Sequence, residues 1–304
     1  MKRIICIGEC SLNIVIGPDG RTFGSMPGGR VVNAAAILAH DDFEVIMASE
    51  ASADPVGDIV ADYLNNNGVK LDSLDRYTDG RTPLNVFTSP DAESAPTALT
   101  RYCKYPDDGF DIVWPRVDEG DIVLFGGHYA IDARTRVRLQ RFLSHCAERK
   151  AILIYLPGFM PQQEPRITRV MPAILENLEA ANVVVARNVD LKLIFGIDNT
   201  ESAYHDHIDF YCRSLISVDA ANERISYYTG KEMSSVDIPA ATCRTMLWNS
   251  GAIAGAVASI ASQGLTDADL EGPSAEVREK ILGAAARSAN DAAAQLSQKW
   301  QFIN

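Results

Sequence analysis

The sequence predicts an α/β fold, with a mostly parallel central sheet as the middle of three layers and a small β-hairpin flap outside it. Three observations lead there. Short apolar runs recur at 2–7, 44–48, 121–125, 151–155, 182–185 and 225–228, and such runs read as strands buried on both faces. Segments of helical pattern lie between and after them, at 31–39, 55–66, 134–148, 172–178, 249–262 and 276–300; strands alternating with helices imply a parallel sheet covered on both sides. Two segments break the alternation. Residues 11–26 carry the turn signal Gly17-Pro18-Asp19-Gly20, and residues 83–105 do the same around Ser89-Pro90-Asp91. Both read as hairpins outside the sheet, set as a flap over its mouth, because loops on a rigid scaffold often close ligand sites. No internal repeat or linker interrupts 1–304, so one domain is expected.

Composition narrows the function classes. Hydrophobic residues make up 47% of the chain and charged residues 22%, the balance of a globular protein rather than a disordered one. The net charge of −12 argues against a nucleic-acid or anionic-membrane surface, both of which need clustered Lys and Arg. The apolar run at the start is interrupted by Glu9, too short for a signal-peptide core, and no stretch reaches the roughly 18 apolar residues of a membrane span. The six cysteines are dispersed, with no Cys-x-x-Cys pair; a reduced, cytoplasmic protein is expected.

The strongest chemical signal is Pro27-Gly28-Gly29-Arg30-Val31-Val32-Asn33, running into the alanine-rich segment 34–39. Paired glycines at a helix entrance let the backbone approach a ligand closely and leave N–H groups free to donate. Asn33 offers both a donor and an acceptor, which suits sugar hydroxyls. Taken alone, the segment reads more readily as a plain glycine turn capping a helix. Two companions accompany it: Gly8-Glu9-Cys10-Ser11-Leu12-Asn13 ends the first strand, where open α/β sheets hold ligands, and Asp54-Pro55-Val56-Gly57 opens a later helix.

In this order and spacing, the three segments resemble the PfkB carbohydrate kinases, the ribokinase-like family. The resemblance runs essentially the length of the chain and implies a ribokinase-like sandwich, with Mg·ATP as cofactor if the chain is active. In the family's Gly-Glu-x-x-x-Asp segment the Asp holds sugar hydroxyls; Asn13 stands there, keeping hydrogen-bonding capacity without charge. Gly28, Gly29 and Asn33 match the family's sugar-contacting Gly-Gly-x-x-x-Asn. A sugar or related polyhydroxy metabolite is thus the implied partner, with Asn13, Gly28, Gly29 and Asn33 as its binding residues. The flap implies a homodimer, since such hairpins pair between subunits in many relatives.

The phosphate half departs from the family. Its signature, near Asp-Thr-x-Gly-Ala-Gly-Asp-Ala, supplies glycine amides for the transferred phosphoryl group and an Asp that deprotonates the attacking hydroxyl. Anchored on Ala254-Gly255, this chain reads Arg244-Thr245-Met246-Leu247-Trp248-Asn249-Ser250-Gly251-Ala252. Leu247 and Asn249 replace the two glycines and Ser250 replaces the catalytic Asp, leaving Asn249 and Gly251 as the remaining candidates there. A serine hydroxyl cannot act as that base unaided, and losing the base costs roughly 10²–10⁴ in rate. The family's Tyr-Asp-Pro-Asn-x-Arg becomes Tyr155-Leu156-Pro157-Gly158-Phe159-Met160. Its Thr-x-Gly-x-x-Gly becomes Asp219-Ala220-Ala221-Asn222-Glu223-Arg224. Its Asn-x-x-Glu becomes Arg187-Asn188-Val189-Asp190, keeping only the carboxylate of Asp190. Four losses on one side imply a sugar-binding homologue that has lost phosphotransfer, a pseudokinase; an active carbohydrate kinase with an atypical site is the alternative.

Weaker signals remain. His205-Asp206-His207 with Asp209 reads as a solvated acidic loop rather than a metal site, because residues two apart share no helix face, and no metal site is expected. Glu9 and Glu50, near strand ends, fit functional carboxylates or ordinary caps and surface charges. Gly126-Gly127-His128 fits a sugar-pocket wall or a plain turn.

Overall fold

The computed structural model of the protein describes residues 2–41, 43–89, 98–107, 111–243 and 247–299. Six strands run parallel in the main sheet: β1 (Arg3–Ile7), β4 (Glu44–Met47), β9 (Ile122–Gly126), β10 (Ile152–Leu156), β11 (Val183–Arg187) and β12 (Ser214–Asp219). β13 (Arg224–Thr229) and β14 (Glu232–Asp237) extend one edge as an antiparallel pair, giving the order β14-β13-β12-β11-β10-β9-β1-β4. Side chains of a strand alternate between faces. Ile4 and Cys6 therefore join a core beneath α1 (Arg30–Leu38), α2 (Pro55–Asn66), α8 (Trp248–Gln263) and α10 (Ala275–Lys299), while Ile5 and Ile7 join one beneath α3 (Ala133–Glu148), α4 (Ile167–Ala180), α5 (Asn188–Phe195) and α6 (Thr200–His207). The result is the predicted three-layer sandwich.

The two hairpins are one flap. β2 (Ser11–Ile16) pairs antiparallel with β3 (Thr22–Gly28), β7 (Arg81–Thr88) with β8 (Ala98–Lys104), and β2 joins β7 in parallel, giving the four-stranded order β3-β2-β7-β8. A small parallel pair, β5 (Ser49–Ser52) with β6 (Leu74–Tyr77), lies beside it. The expected turn at Ser89-Pro90-Asp91 extends beyond the described residues at position 90. Asp54 ties the flap to the sandwich: one carboxylate oxygen accepts from Gly57 N at the start of α2 (2.7 Å), the other from Thr82 N on β7 (3.0 Å). No helix among the described residues is long and apolar enough to cross a membrane.

Four local expectations need correction. β12 is a buried strand that the apolar-run criterion passes over, because Ser214 and Ser217 interrupt it; Ser214 Oγ donates to Leu270 O (2.5 Å) and accepts from Tyr227 OH (2.9 Å). α4 begins five residues before Pro172, which sits inside the helix rather than at its start. The segment around His205-Asp206-His207 is the helix α6, capped by Asn199 accepting from Ser202 N, with the His207 ring stacked on Phe195 at 4.6 Å. Glu50 is buried, not a surface charge: it is 3% exposed, and burial pushes its carboxyl well above the usual range.

Candidate functional site

The carboxyl ends of the parallel strands, the inner face of the flap and the start of α8 enclose a cleft of about 640 Å³. It lies where strand order reverses, with β4 on one side of β1 and β9 on the other, the position at which open α/β sheets hold ligands. Asn13, Gly29, Asn33, Asp190, Asn249 and Ser250 all line this cleft; Gly28 and Gly251 do not.

At the flap end, Asn13 on β2 and Asn85 on β7 are register partners. Asn85 Nδ2 donates to Asn13 Oδ1 (2.9 Å) and Ser11 Oγ (3.2 Å). Its Oδ1 accepts from Arg101 on β8 (2.9 Å), and Arg101 also donates to Tyr105 OH (2.6 Å) and pairs with the Glu9 carboxylate. Tyr105 OH donates to Glu9 Oε1 (2.7 Å). Burial would lower the Arg101 guanidinium, but the adjacent Glu9 charge outweighs it and holds the group above its ordinary value. Asn33, one turn into α1, donates from Nδ2 to Pro27 O (3.3 Å) and accepts from Tyr63 OH at Oδ1 (3.3 Å). One proton and one lone pair remain for a ligand.

The paired glycines have separate reasons. Gly29 caps α1 at φ 102°, and a side chain there would strike Glu9 O, so conformation and space both require glycine. Gly28 ends β3 opposite Ser11, and a side chain there would strike Ser11 Oγ and Asn13 Oδ1; it shapes the wall from behind. His128 follows Gly127, which stands at φ 70°. It lines the cleft, is 6% exposed, and its Nδ1 has no hydrogen-bond partner among the described residues. Burial lowers its pKa, keeping the imidazole neutral at pH 7.

The opposite end is built on an ion triad. Asp190 opens α5 at its third position and is 2% exposed. Arg187 holds it with Nε (2.9 Å) and Nη2 (2.6 Å), and Arg30 from α1 adds Nη1 (2.7 Å) while its Nη2 donates to Pro157 O (2.8 Å). Burial alone would raise the Asp190 carboxyl; the Arg187 and Arg30 charges prevail and hold it at about 2. Burial lowers the Arg30 guanidinium, partly offset by the Asp190 charge.

The start of α8 closes this end. Leu247 caps the helix with no side-chain hydrogen bond, and Trp248, Asn249 and Ser250 line the cleft while almost wholly buried. Asn249 Oδ1 is buried without a partner among the described residues. Gly251 is a correction: its N–H donates to Leu247 O (2.9 Å) inside the helix, and a side chain there would strike Ser288 O and Ala292 on α10. Gly255, one turn on, meets Ala284 O in the same way. These glycines let α8 and α10 pack closely rather than donating to a ligand. Arg244-Thr245-Met246 lies outside the described residues.

These donors do not fit a magnesium–nucleotide site. Among the described residues, the carboxylates lining the cleft are Glu9 and Asp190, and arginines engage both. In the turn after β12, Asp219 accepts from Ala221 N (3.0 Å) and Asn222 N (3.1 Å), a self-capped turn without glycine. Sequence reasoning passed over the roles of Arg30, Arg187, Asn85, Arg101 and Tyr105. The first two stood within the quoted motifs, where unpaired-looking arginines in an acidic chain were the available signal.

A flap-covered sandwich with this strand order and a cleft at its switch point is the fold of ribokinase-like carbohydrate kinases. The model of the pfkB family carbohydrate kinases matches residues 1–209, and the chain belongs to that family. A ribokinase of Bacillus subtilis (strain 168) is 30% identical over 88 residues, 26% of this chain and only 30% of that protein's length. Among solved structures, an aminoimidazole riboside kinase from Salmonella enterica, complexed with aminoimidazole riboside and an ATP analog, superposes with a TM-score of 0.76 at 15% identity, over 98% of this chain and 100% of the other. A fructokinase with bound ATP from Xylella fastidiosa gives 0.74 at 18% identity, over 99% and 98%. At these identities the structures speak for the fold.

Proposed function

We propose that this chain binds a sugar or small polyhydroxy metabolite and has lost phosphotransfer. One observation carries the reading: Ser250 stands in the cleft where the family resemblance expects the base, and the cleft's carboxylates, Glu9 and Asp190, are both tied to arginines. A base must be free to take the hydroxyl proton, and neither carboxylate is. Asn13, Gly29 and Asn33, with Gly28 behind them, support retained sugar binding through backbone and amide groups. Asp190, Asn249 and Gly251 support no phosphate chemistry of the family kind. Relatives in this family bind ATP, as the fructokinase structure does, but the donor set argues against Mg·ATP here.

The alternative, an active ATP-dependent carbohydrate kinase, is favoured by one feature: His128 is a neutral imidazole lining the cleft whose Nδ1 has no hydrogen-bond partner among the described residues, able in principle to accept a proton. A coupled ADP-release assay over a panel of sugars, with Ser250→Asp, Ser250→Ala and His128→Gln in parallel, separates the readings. The expected result is no turnover in the wild type and no rescue in Ser250→Asp. Robust wild-type turnover abolished by Ser250→Ala or His128→Gln would establish an active kinase. We further propose a cytoplasmic location, supported by the unpaired cysteines among the described residues, and a homodimer through the flap, whose edge strands β3 and β8 each lack a second neighbour in the flap sheet. Light scattering giving 33.1 kDa at high concentration would remove the dimer.

A further inference from the structure

We propose that Arg30 and Arg187 form a metal-independent receptor for the anionic group of a small polyhydroxylated acid, a sugar acid or sugar phosphate, so that the cleft selects charged over neutral sugars. This deepens the sugar-binding reading above and rests on it. The triad places two guanidiniums against one carboxylate, leaving one positive charge in excess. At the flap end Glu9 and Arg101 cancel. The excess therefore belongs to this corner of the cleft, in a chain whose net charge is −12. Asp190 is held ionised at about 2, so the balance persists at any working pH.

Exposure identifies which group meets a ligand. The Asp190 side chain is 2% exposed, Arg30 20% and Arg187 38%. Arg187 spends Nε and Nη2 on Asp190, and its Nη1 makes no hydrogen bond among the described residues. A guanidinium held in one orientation presents its remaining N–H groups as a fixed fork, which matches carboxylate and phosphate oxygens. The same cleft also offers partners for hydroxyls: Asn33, which lines it, keeps one proton and one lone pair beyond its bonds to Pro27 O and Tyr63 OH. A ligand bearing both hydroxyls and an anion engages both kinds of group.

The test is calorimetric titration of the full chain in EDTA with glucose, gluconate, glucose 6-phosphate and inorganic phosphate, for wild type, Arg187→Gln and Arg187→Lys. Arg187→Gln leaves Asp190 paired with Arg30, so no buried charge is stranded. Gluconate or glucose 6-phosphate should bind about tenfold or more tightly than glucose, as a charge-assisted hydrogen bond allows. The preference should vanish in Arg187→Gln, return in part in Arg187→Lys and be unchanged by added magnesium; the two charged sugars tell carboxylate from phosphate. Glucose binding as tightly as its charged forms overturns the proposal while leaving the sugar-binding reading intact. So does a preference that survives Arg187→Gln or requires magnesium. Arg187-dependent binding of inorganic phosphate without binding of any sugar keeps the receptor and removes the sugar-binding reading, and no binding of any charged probe removes the receptor. The wild-type ranking decides even if a variant does not fold.

Discussion

The two ends of the cleft are built from different materials. At the flap end, neutral amides and backbone groups predominate: Asn13, Asn85, Asn33 and the Gly28-Gly29 corner, with the Glu9–Arg101 pair held as an internal brace. At the far end, the full charges of Arg30, Asp190 and Arg187 are locked to one another, and Trp248 lines the same cleft. An amide with a spare proton and lone pair is adaptable; a buried carboxylate between two guanidiniums is not, because removing the carboxylate strands two charges. An adaptable amide end and a rigid charged end therefore stand within one cleft.

The largest effect should come from breaking the charged end. Asp190→Asn leaves Arg30 and Arg187 facing each other without a carboxylate, and breaking a buried pair costs on the order of 3–5 kcal/mol. Urea denaturation should show that loss, and an unchanged midpoint would mean that the triad is not the rigid unit described. Acid probes the same end more gently. Because the folded-state pKa of Asp190 is depressed to about 2, its contribution is complete above the unfolded-state carboxyl value and disappears as pH falls toward 2. That loss should be on the order of 2 kcal/mol, and smaller in Arg187→Gln when stability is followed from pH 5 downward. The flap end should respond in affinity: Asn33→Ala should weaken sugar binding by about 1–3 kcal/mol in calorimetry, and equal affinities would remove Asn33 from the binding surface. The smallest effect concerns the nucleotide. Millimolar Mg·ATP should barely move the melting temperature, since a ligand far below its dissociation constant stabilises little; a rise of several degrees would erase the contrast between the ends.

Much of this was legible in sequence because it rests on local rules. Apolar runs marked β1, β4, β9, β10 and β11 since those strands are buried on both faces, and the turn Gly17-Pro18-Asp19-Gly20 marked the β2–β3 hairpin. β12 was not legible, because Ser214 and Ser217 interrupt its apolar run, and Ser214 looks polar until its partners Leu270 and Tyr227 are known. Within the site, the glycine-flanked entrance of α1 announced itself, whereas Arg101 did not: its partner Glu9 lies 92 residues away. Gly251 was misread for a related reason. A glycine at a helix start suggests a ligand, and only the position of α10 reveals that it serves close packing.

The brace between Glu9 and Arg101 carries a consequence in time rather than affinity. Glu9 follows β1 of the main sheet and Arg101 belongs to β8 of the flap, so lifting the flap means parting an ion pair whose arginine side chain is 7% exposed, together with the Tyr105 hydroxyl that both partners share. Each opening would expose two charges to water and give up the contacts that brace them. For a ligand of the kind proposed above, this brace would add to the barrier for leaving without adding to the equilibrium affinity.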